Sequence, residues 1–237
     1  MKSYNEQLTA LRVSGNLRHL PEVEHQGIWI LKEGMRMLNL SSNDYLGLAS
    51  RQDLQEEFQA STQDRFYPYS SSSSRLLTGN FSVYTKLEKQ IARSFDREAA
   101  LIFNSGYHAN TGILPALADK QTLLRADKLV HASIIDGILL SGSPFLRYRH
   151  NDYDQLERLV QKNACQYETI IILTESIFSM DGDVADLNRL IAIKRQYPNI
   201  LLYVDEAHAI GARGKTGLGI AEEQSCIQEI ELLVGTF

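Results

Sequence analysis

No stretch of this chain is long and apolar enough for a membrane-spanning helix, and its first residues carry no apolar signal core. A membrane partner and an exported protein are therefore not expected. Cysteine is scarce: Cys165 and Cys226 stand far apart, in no metal-ligand spacing. A disulfide framework and a thiolate metal site are thus disfavoured, and the two read as reduced thiols of a cytoplasmic protein. Clustered positive charge is also missing. The net charge is -5, and the densest basic spot is Arg147 with Arg149 in a strand-like stretch, which reads as a solvated face. Bulk neutralisation of phosphates needs more than that, so no nucleic-acid partner is expected. No internal repeat occurs, and the single low-complexity patch is Ser70 to Ser74.

What remains is an ordinary globular chain. Its 237 residues, 43% hydrophobic and 22% charged, can bury one large core, with or without a small appendage. Met1 to about Leu20 reads as an amphipathic helical arm with Leu8, Leu11 and Leu17 on one loose stripe. Trp29–Leu31 and Met37–Leu40 resemble a hairpin around Lys32-Glu33-Gly34. Beyond Phe81 the pattern becomes an alternation of strands and helices. Tyr84, Leu87, Ile91 and Phe95 recur at helical spacing, with Asn80 or Ser82 as candidate caps.

Strands are predicted at Ala99–Phe103, Thr122–Leu124, Phe145–Tyr148, Thr169–Thr174, Ile200–Val204 and around Leu232. Helices are predicted from about Tyr107, over Ser133–Leu140, Tyr153–Gln161 and Leu187–Arg195. Strands apolar on both faces and separated by helices mark an α/β fold with a mostly parallel sheet covered on two sides. Ligands in such sheets bind beyond the carboxyl ends of the strands.

Polar clusters follow those ends. Gly106, after Asn104-Ser105, permits close backbone approach where a helix would offer free N–H groups to a phosphate. An ordinary strand-to-helix turn fits the same residues. Asp205 ends an apolar run, and a buried carboxylate needs a cation beside it: a protonated pyridine nitrogen or an arginine. His208, three residues on, could address the same flat ring. His131 either stacks on an aromatic group or caps its strand end, and spacing does not separate these. Asp205-Glu206-Ala207-His208 with Gly214-Lys215-Thr216 also imitates a nucleotide-hydrolysis pair. Ala209 stands where the leading glycine belongs, and the two motifs come in the wrong order.

Together these segments resemble the pyridoxal-phosphate-dependent α-oxoamine synthases. The likeness runs from about residue 16 to the end. It is carried by Ser41-Ser42-Asn43-Asp44-Tyr45-Leu46-Gly47-Leu48, Ser74-Arg75-Leu76 with Thr78-Gly79, and Asn104 to Asn110. It continues through His131 to Gly137, Glu175 to Asp183, Asp205 to His208, and Gly235-Thr236-Phe237.

The resemblance implies an aminotransferase-like large domain of PLP fold type I, incomplete and without its C-terminal domain. It is expected over residues 41–237, after an arm and hairpin over 1–40. It also implies pyridoxal 5'-phosphate as cofactor, small-molecule substrates (an acyl thioester and an amino acid) and a homodimer. Asp205 would hold the pyridine nitrogen protonated, His208 would bond the phenolic oxygen, and Ser179 would orient the ring. His131 would stack on the ring and meet substrate. Gly106 and Tyr107 would offer backbone contacts, Thr236 would bond the phosphate, and Arg18 would contact substrate.

Within the family, the motif wording looks most like the members that join a pimeloyl thioester, on coenzyme A or acyl carrier protein, to L-alanine with loss of carbon dioxide. Glycine C-acetyltransferases and 5-aminolevulinate synthases are the near alternatives. Two departures stand out. Ser70 to Ser73 replace the usual glycines. The Schiff-base lysine aligns with position 239, past Phe237, so little turnover by these residues alone is expected. A non-catalytic partner subunit lacking the lysine is the rival reading, and another pyridoxal-phosphate enzyme of the same fold is a third.

Overall fold

The apolar runs assemble as one parallel sheet. The computed structural model describes residues 3–62 and 70–236; Met1 of the expected arm and Phe237 of the last motif lie outside them. The chain divides into two compact units, residues 1–66 and 67–237.

In the first unit, helix α1 (Tyr4–Val13) opens on a capping box: Ser3 accepts from the Glu6 N–H while the Glu6 side chain accepts from the Ser3 N–H. The expected arm reached about Leu20. The helix ends sooner because Gly15 adopts φ +70, a left-handed turn that stops the ladder. Strands β1 (Glu24–Gln26), β2 (Trp29–Lys32) and β3 (Met35–Leu38) form an antiparallel meander. The hairpin is thus present, with an additional strand before it. Helix α2 (Gln52–Thr62) follows.

The second unit begins with helix α3 (Ser82–Ser94). Neither expected residue caps it: Phe81 holds the cap position without a side-chain bond, and Asn80 instead accepts from Arg75 Nε at 2.9 Å. Helix α4 (Gly106–Leu117), strand β4 (Thr122–Asp127), helix α5 (Ala132–Ser141) and strand β5 (Phe145–Tyr148) come next. Then follow helix α6 (Tyr153–Asn163), strand β6 (Thr169–Glu175), helix α7 (Leu187–Lys194) and strand β7 (Ile200–Asp205). The short helix α8 (Ile220–Glu223) and strand β8 (Leu232–Val234) close the described chain.

The sheet order is β5-β4-β6-β7-β8 and every pairing is parallel. The segment Ala99–Phe103, expected as a strand, is not one. Its backbone groups are taken by side chains: the Ile102 N–H donates to Glu88 at 2.9 Å, and the Ile102 carbonyl accepts from Arg75 at 3.0 Å.

Both faces of the sheet are covered, and strand alternation sorts the side chains. Ile170, Ile172, Leu202 and Val204 pack with Leu156, Val160, Leu190 and Ile193 of α6 and α7. Ile171, Leu173 and Tyr203 pack with Ala109, Leu114, Ile134 and Ile138 of α4 and α5. A period of two between two covered faces is why these strands read as unbroken apolar runs. Helices α6 and α7 start at side-chain caps, Asp152 accepting from the Gln155 N–H and Asp186 from the Arg189 N–H. The register sets Glu175 beside Asp205, and Asp205 beside Val234. Acidic residues therefore stand together at one end of the sheet.

Candidate functional site

Asp205 closes strand β7 and is 6% exposed. Its hydrogen bonds come from neutral donors: Oδ2 accepts from Asn110 Nδ2 at 2.9 Å and Oδ1 from the Ala207 N–H at 3.0 Å. Asn110, on α4, is itself buried. Its second Nδ2 hydrogen goes to Ser133 Oγ at 2.9 Å, and its oxygen accepts from the Tyr203 hydroxyl at 2.6 Å. This close approach of α4 to α5 depends on Gly137, where a Cβ would strike the Asn110 carbonyl oxygen.

The network continues to His131, the N-cap of α5, whose Nδ1 accepts from the Ser133 N–H at 3.2 Å and lies 2.7 Å from Ser133 Oγ. With Nδ1 accepting, the ring proton belongs on Nε2. His131 is exposed, so the capping role, one of the two readings left open by spacing, leaves its ring accessible as well. Asn110 and Ser133 thus connect Asp205 to His131. Both stand in motifs that carried the resemblance, yet their types alone signalled no role: a buried amide becomes informative only when its partners are known.

Gly106 opens α4, and Ser105 caps that helix by accepting from the His108 N–H. A Cβ on Gly106 would lie 2.6 Å from Thr236 Cγ2, so the glycine is needed for this approach. Thr236 Oγ1 donates to the Ala207 carbonyl at 3.3 Å, which ties the end of β8 to the turn after β7. His208 lies in that same turn and is half-buried. Tyr107 sits beside Gly106, its hydroxyl donating to Asp136 at 2.6 Å, and this bond holds the phenol above its usual pKa.

Ser179 is exposed, in the turn after β6. That turn follows Glu175, 3% exposed, which accepts from the His131 N–H. Burial, then the neighbouring Asp205 charge, pushes the Glu175 carboxyl up to about 7 against the opposing pull of the His131 N–H. Five predicted residues, Gly106, Thr236, Asp205, His131 and His208, are therefore linked by short chains of bonds, contacts or shared turns, with Tyr107 adjoining and Ser179 in the turn after β6. Arg18 is exposed in the first unit, past the end of α1.

Beside these, Asp127, which ends β4, accepts from His150 Nδ1 at 2.9 Å, while His150 Nε2 meets Asp183 at 2.6 Å. Burial alone would lower the His150 pKa. The two carboxylates outweigh it, and the net shift is upward. The nucleotide-like Gly214-Lys215-Thr216 loop cannot receive a phosphate in this form: Glu222 already accepts from the Thr216 N–H, the Thr216 hydroxyl and the Leu218 N–H. Among the described residues no group of three or more His, Cys, Asp or Glu could hold a metal ion, and no helix is long and apolar enough to cross a membrane.

The arrangement suits a flat, phosphorylated, basic heterocycle. It combines a buried carboxylate bonded by neutral donors, a helix N-terminus opened by a glycine packed against Thr236, and an exposed imidazole on the same network. Comparison with known proteins agrees. The family profile "Aminotransferase class I and II" matches residues 35–237. Over all 237 residues the chain is 56% identical to a protein of Pasteurella multocida and 58% identical to one of Glaesserella parasuis, each named "Putative 8-amino-7-oxononanoate synthase". It spans 61% and 62% of their lengths.

Among solved structures, a serine palmitoyltransferase variant from S. paucimobilis with bound PLP–myriocin aldimine superposes with a TM-score of 0.84 at 26% identity. That match covers 98% of this chain and 58% of the other. An 8-amino-7-oxononanoate synthase from Francisella tularensis superposes with a TM-score of 0.62 at 31% identity, covering 78% of this chain and 49% of the other.

Proposed function

The chain belongs to the aminotransferase class I and II family, whose cofactor here is pyridoxal phosphate, and from that premise we propose that it is part of a biotin-pathway oxoamine synthase. The reaction joins a pimeloyl thioester to L-alanine, releases carbon dioxide and yields 8-amino-7-oxononanoate. The observation that carries the reading is the Asp205–Asn110–Ser133–His131 network beside the Gly106–Thr236 contact. Identity to the two relatives supports this choice of substrates.

When bound, pyridoxal phosphate supplies an electron sink for the pair left at the amino-acid α-carbon. The chain's own residues make that sink usable. Asp205 keeps a proton on the ring nitrogen, and Asn110 with the Ala207 N–H holds its carboxylate in place. Gly106, the Tyr107 backbone and Thr236 hold the phosphate at the positive end of α4. His131 stacks on the ring and meets substrate, His208 donates to the phenolic oxygen, and Ser179 orients the ring edge. Arg18 contacts the substrate. The whole protein works as a cytoplasmic homodimer on small molecules.

Two measurements test this. Titrating the chain with pyridoxal phosphate should produce an induced circular-dichroism band, and Asp205→Ala should weaken binding by at least about tenfold, the loss of one charge-assisted contact. The whole protein should release carboxyl label from L-alanine only when pimeloyl thioester is present. Release from glycine with a shorter acyl thioester would instead support a glycine C-acetyltransferase.

A further inference from the structure

The chain leaves β5 through Tyr148 and turns at Asn151, whose φ of 50 is a left-handed conformation that asparagine tolerates. Two successive residues there address the same pair of carboxylates. His150 Nδ1 lies 2.9 Å from Asp127 Oδ1, and its Nε2 lies 2.6 Å from Asp183 Oδ2. Asn151 repeats the bridge: its N–H donates to Asp127 Oδ2 at 2.9 Å, and its Nδ2 donates to Asp183 Oδ2 at 2.7 Å. Asp127 ends β4, Asp183 belongs to the turn after β6, and β4 lies between β5 and β6 in the sheet. Residues 150 and 151 therefore span two neighbouring strand ends.

Both carboxylates are joined to turns of the site. The Asp127 side chain, fully covered, also accepts from the Leu129 N–H at 2.8 Å, in the stretch that leads to His131. Residues 178–183, which include Ser179, close on themselves. The Phe178 N–H donates to the Asp183 carbonyl at 3.1 Å, and the Gly182 N–H donates to the Phe178 carbonyl at 2.8 Å. The Phe178 ring meets the His150 ring edge-on, their centroids 4.4 Å apart. Asp183 Oδ1 is covered and has no hydrogen-bond partner, so Oδ2 carries the attachment.

We propose that His150 is a positioning residue: as an imidazolium held between Asp127 and Asp183, it fixes the turn that carries Ser179 against the stretch that leads to His131. This inference rests on the cofactor reading above and deepens it, since those two residues are the ones assigned to the ring's edge and face. Donor count gives the chemistry. A neutral imidazole carries one N–H and can donate to one carboxylate only, whereas carboxylate oxygens face both ring nitrogens here. The charged ring supplies both donors, and each bond is then charge-assisted. Burial works against that charge, and the two carboxylates outweigh it. Tyr148 at the end of β5, Tyr153 of α6 and Glu175 of β6 also feel the Asp127 charge, while Arg149 is committed to Asp152. Above the His150 midpoint one of its two bonds is lost, and Asn151 alone spans both carboxylates.

Two arms test this. In the unaltered chain without cofactor, the His150 ring should titrate with a midpoint above the ordinary histidine value of about 6.5. Below that midpoint both ring nitrogens should be protonated in nitrogen NMR spectra, and the amide resonances of Leu129 and Gly182 should move with the same midpoint. An ordinary or lower midpoint, or either amide failing to follow the ring, overturns the proposal. The second arm compares pyridoxal phosphate affinity between the unaltered chain and His150→Gln, whose amide, like a neutral ring, donates to one carboxylate. The ratio should be about tenfold below the midpoint, the equivalent of one lost hydrogen bond, and should shrink toward unity above it. A ratio near unity at every pH overturns the proposal, and so does a tenfold ratio that pH leaves unchanged, the mark of a purely structural contact.

Should His150→Gln not fold, Asp183→Asn takes its place. It keeps the side chain's shape, removes one of the two charges, and should lower both the His150 midpoint and the affinity; an unchanged midpoint or affinity overturns the proposal. Failure of the unaltered chain to bind pyridoxal phosphate, with ring and amides still titrating as one, would count against the cofactor reading and leave the bridge between the turns standing. Binding without that common titration would count against the role of His150 alone.

Discussion

The two units of this chain hold their secondary structure by different means. In residues 3–62 neither helix buries a side chain, and Leu8, Leu54 and Phe58 are all well exposed. What defines α1 and the β2–β3 hairpin is local: a capping box, a glycine that ends the helix, and a short turn. In the second unit, strands β4, β6 and β7 are almost wholly covered. There burial decides, and polar groups persist only where other buried groups satisfy them. Local signals make elements, whereas burial makes a site. A change in the second unit should therefore affect both stability and cofactor binding, and one in the first, at residues other than the substrate contact Arg18, should affect stability alone.

Asn110→Ala should show the largest effect. It deprives Asp205, Ser133 and the Tyr203 hydroxyl of a partner at once, and unsatisfied buried groups of this kind cost about 3 kcal/mol or more in total. Denaturant unfolding should register that loss, and pyridoxal phosphate affinity should fall with it. Normal affinity in a destabilised variant would separate fold from site and contradict the comparison.

A shift in pH comes next. Burial and then the Asp205 charge push the Glu175 carboxyl up to about 7. A group whose folded value is raised contributes its full stability below its ordinary value, here 4.5, and loses it as pH rises from there through the folded value. His150, raised by Asp127 and Asp183 against its burial, acts with the same sign: its stabilisation is complete below the ordinary histidine range and fades above the raised one. Stability of the second unit should decline as pH rises from about 4.5 to 8, with the Glu175 share on the order of 3 kcal/mol and most of it lost by pH 7. Thermal melts across that range check this, and a rise instead would refute it.

Arg125 sharpens the contrast from the opposite direction. It lies fully buried on β4, with Nε and Nη1 lacking a partner and Nη2 reaching the Leu159 carbonyl only at 3.3 Å. Burial pulls its pKa down. Arg125→Leu should raise stability by about 1–3 kcal/mol, because an apolar side chain of similar reach removes an unsatisfied charge. An unchanged or lower melting temperature would mean that the guanidinium is better solvated than its covered position implies.

The smallest effect belongs to the first unit. Ser3→Ala removes the cap of α1 and should cost about 1 kcal/mol of helix stability, seen as fraying in amide exchange. Pyridoxal phosphate affinity should not move.

Much of this molecule could be read directly from residue order. Apolar runs bounded by turn residues mark the parallel strands, because a strand covered on both faces must be apolar at every position. The ordered motifs mark the family and the positions of Asp205, His208, His131, Ser179, Gly106 and Thr236. One-dimensional pattern fails where partners are distant. Ala99–Phe103 has the composition of a strand, yet its backbone bonds went to Arg75 and Glu88. Asn110 and Ser133 acquire their roles only when α4 and α5 meet around Asp205. A hydrogen bond across the sheet depends on separation in space, and spacing along the chain carries no record of it.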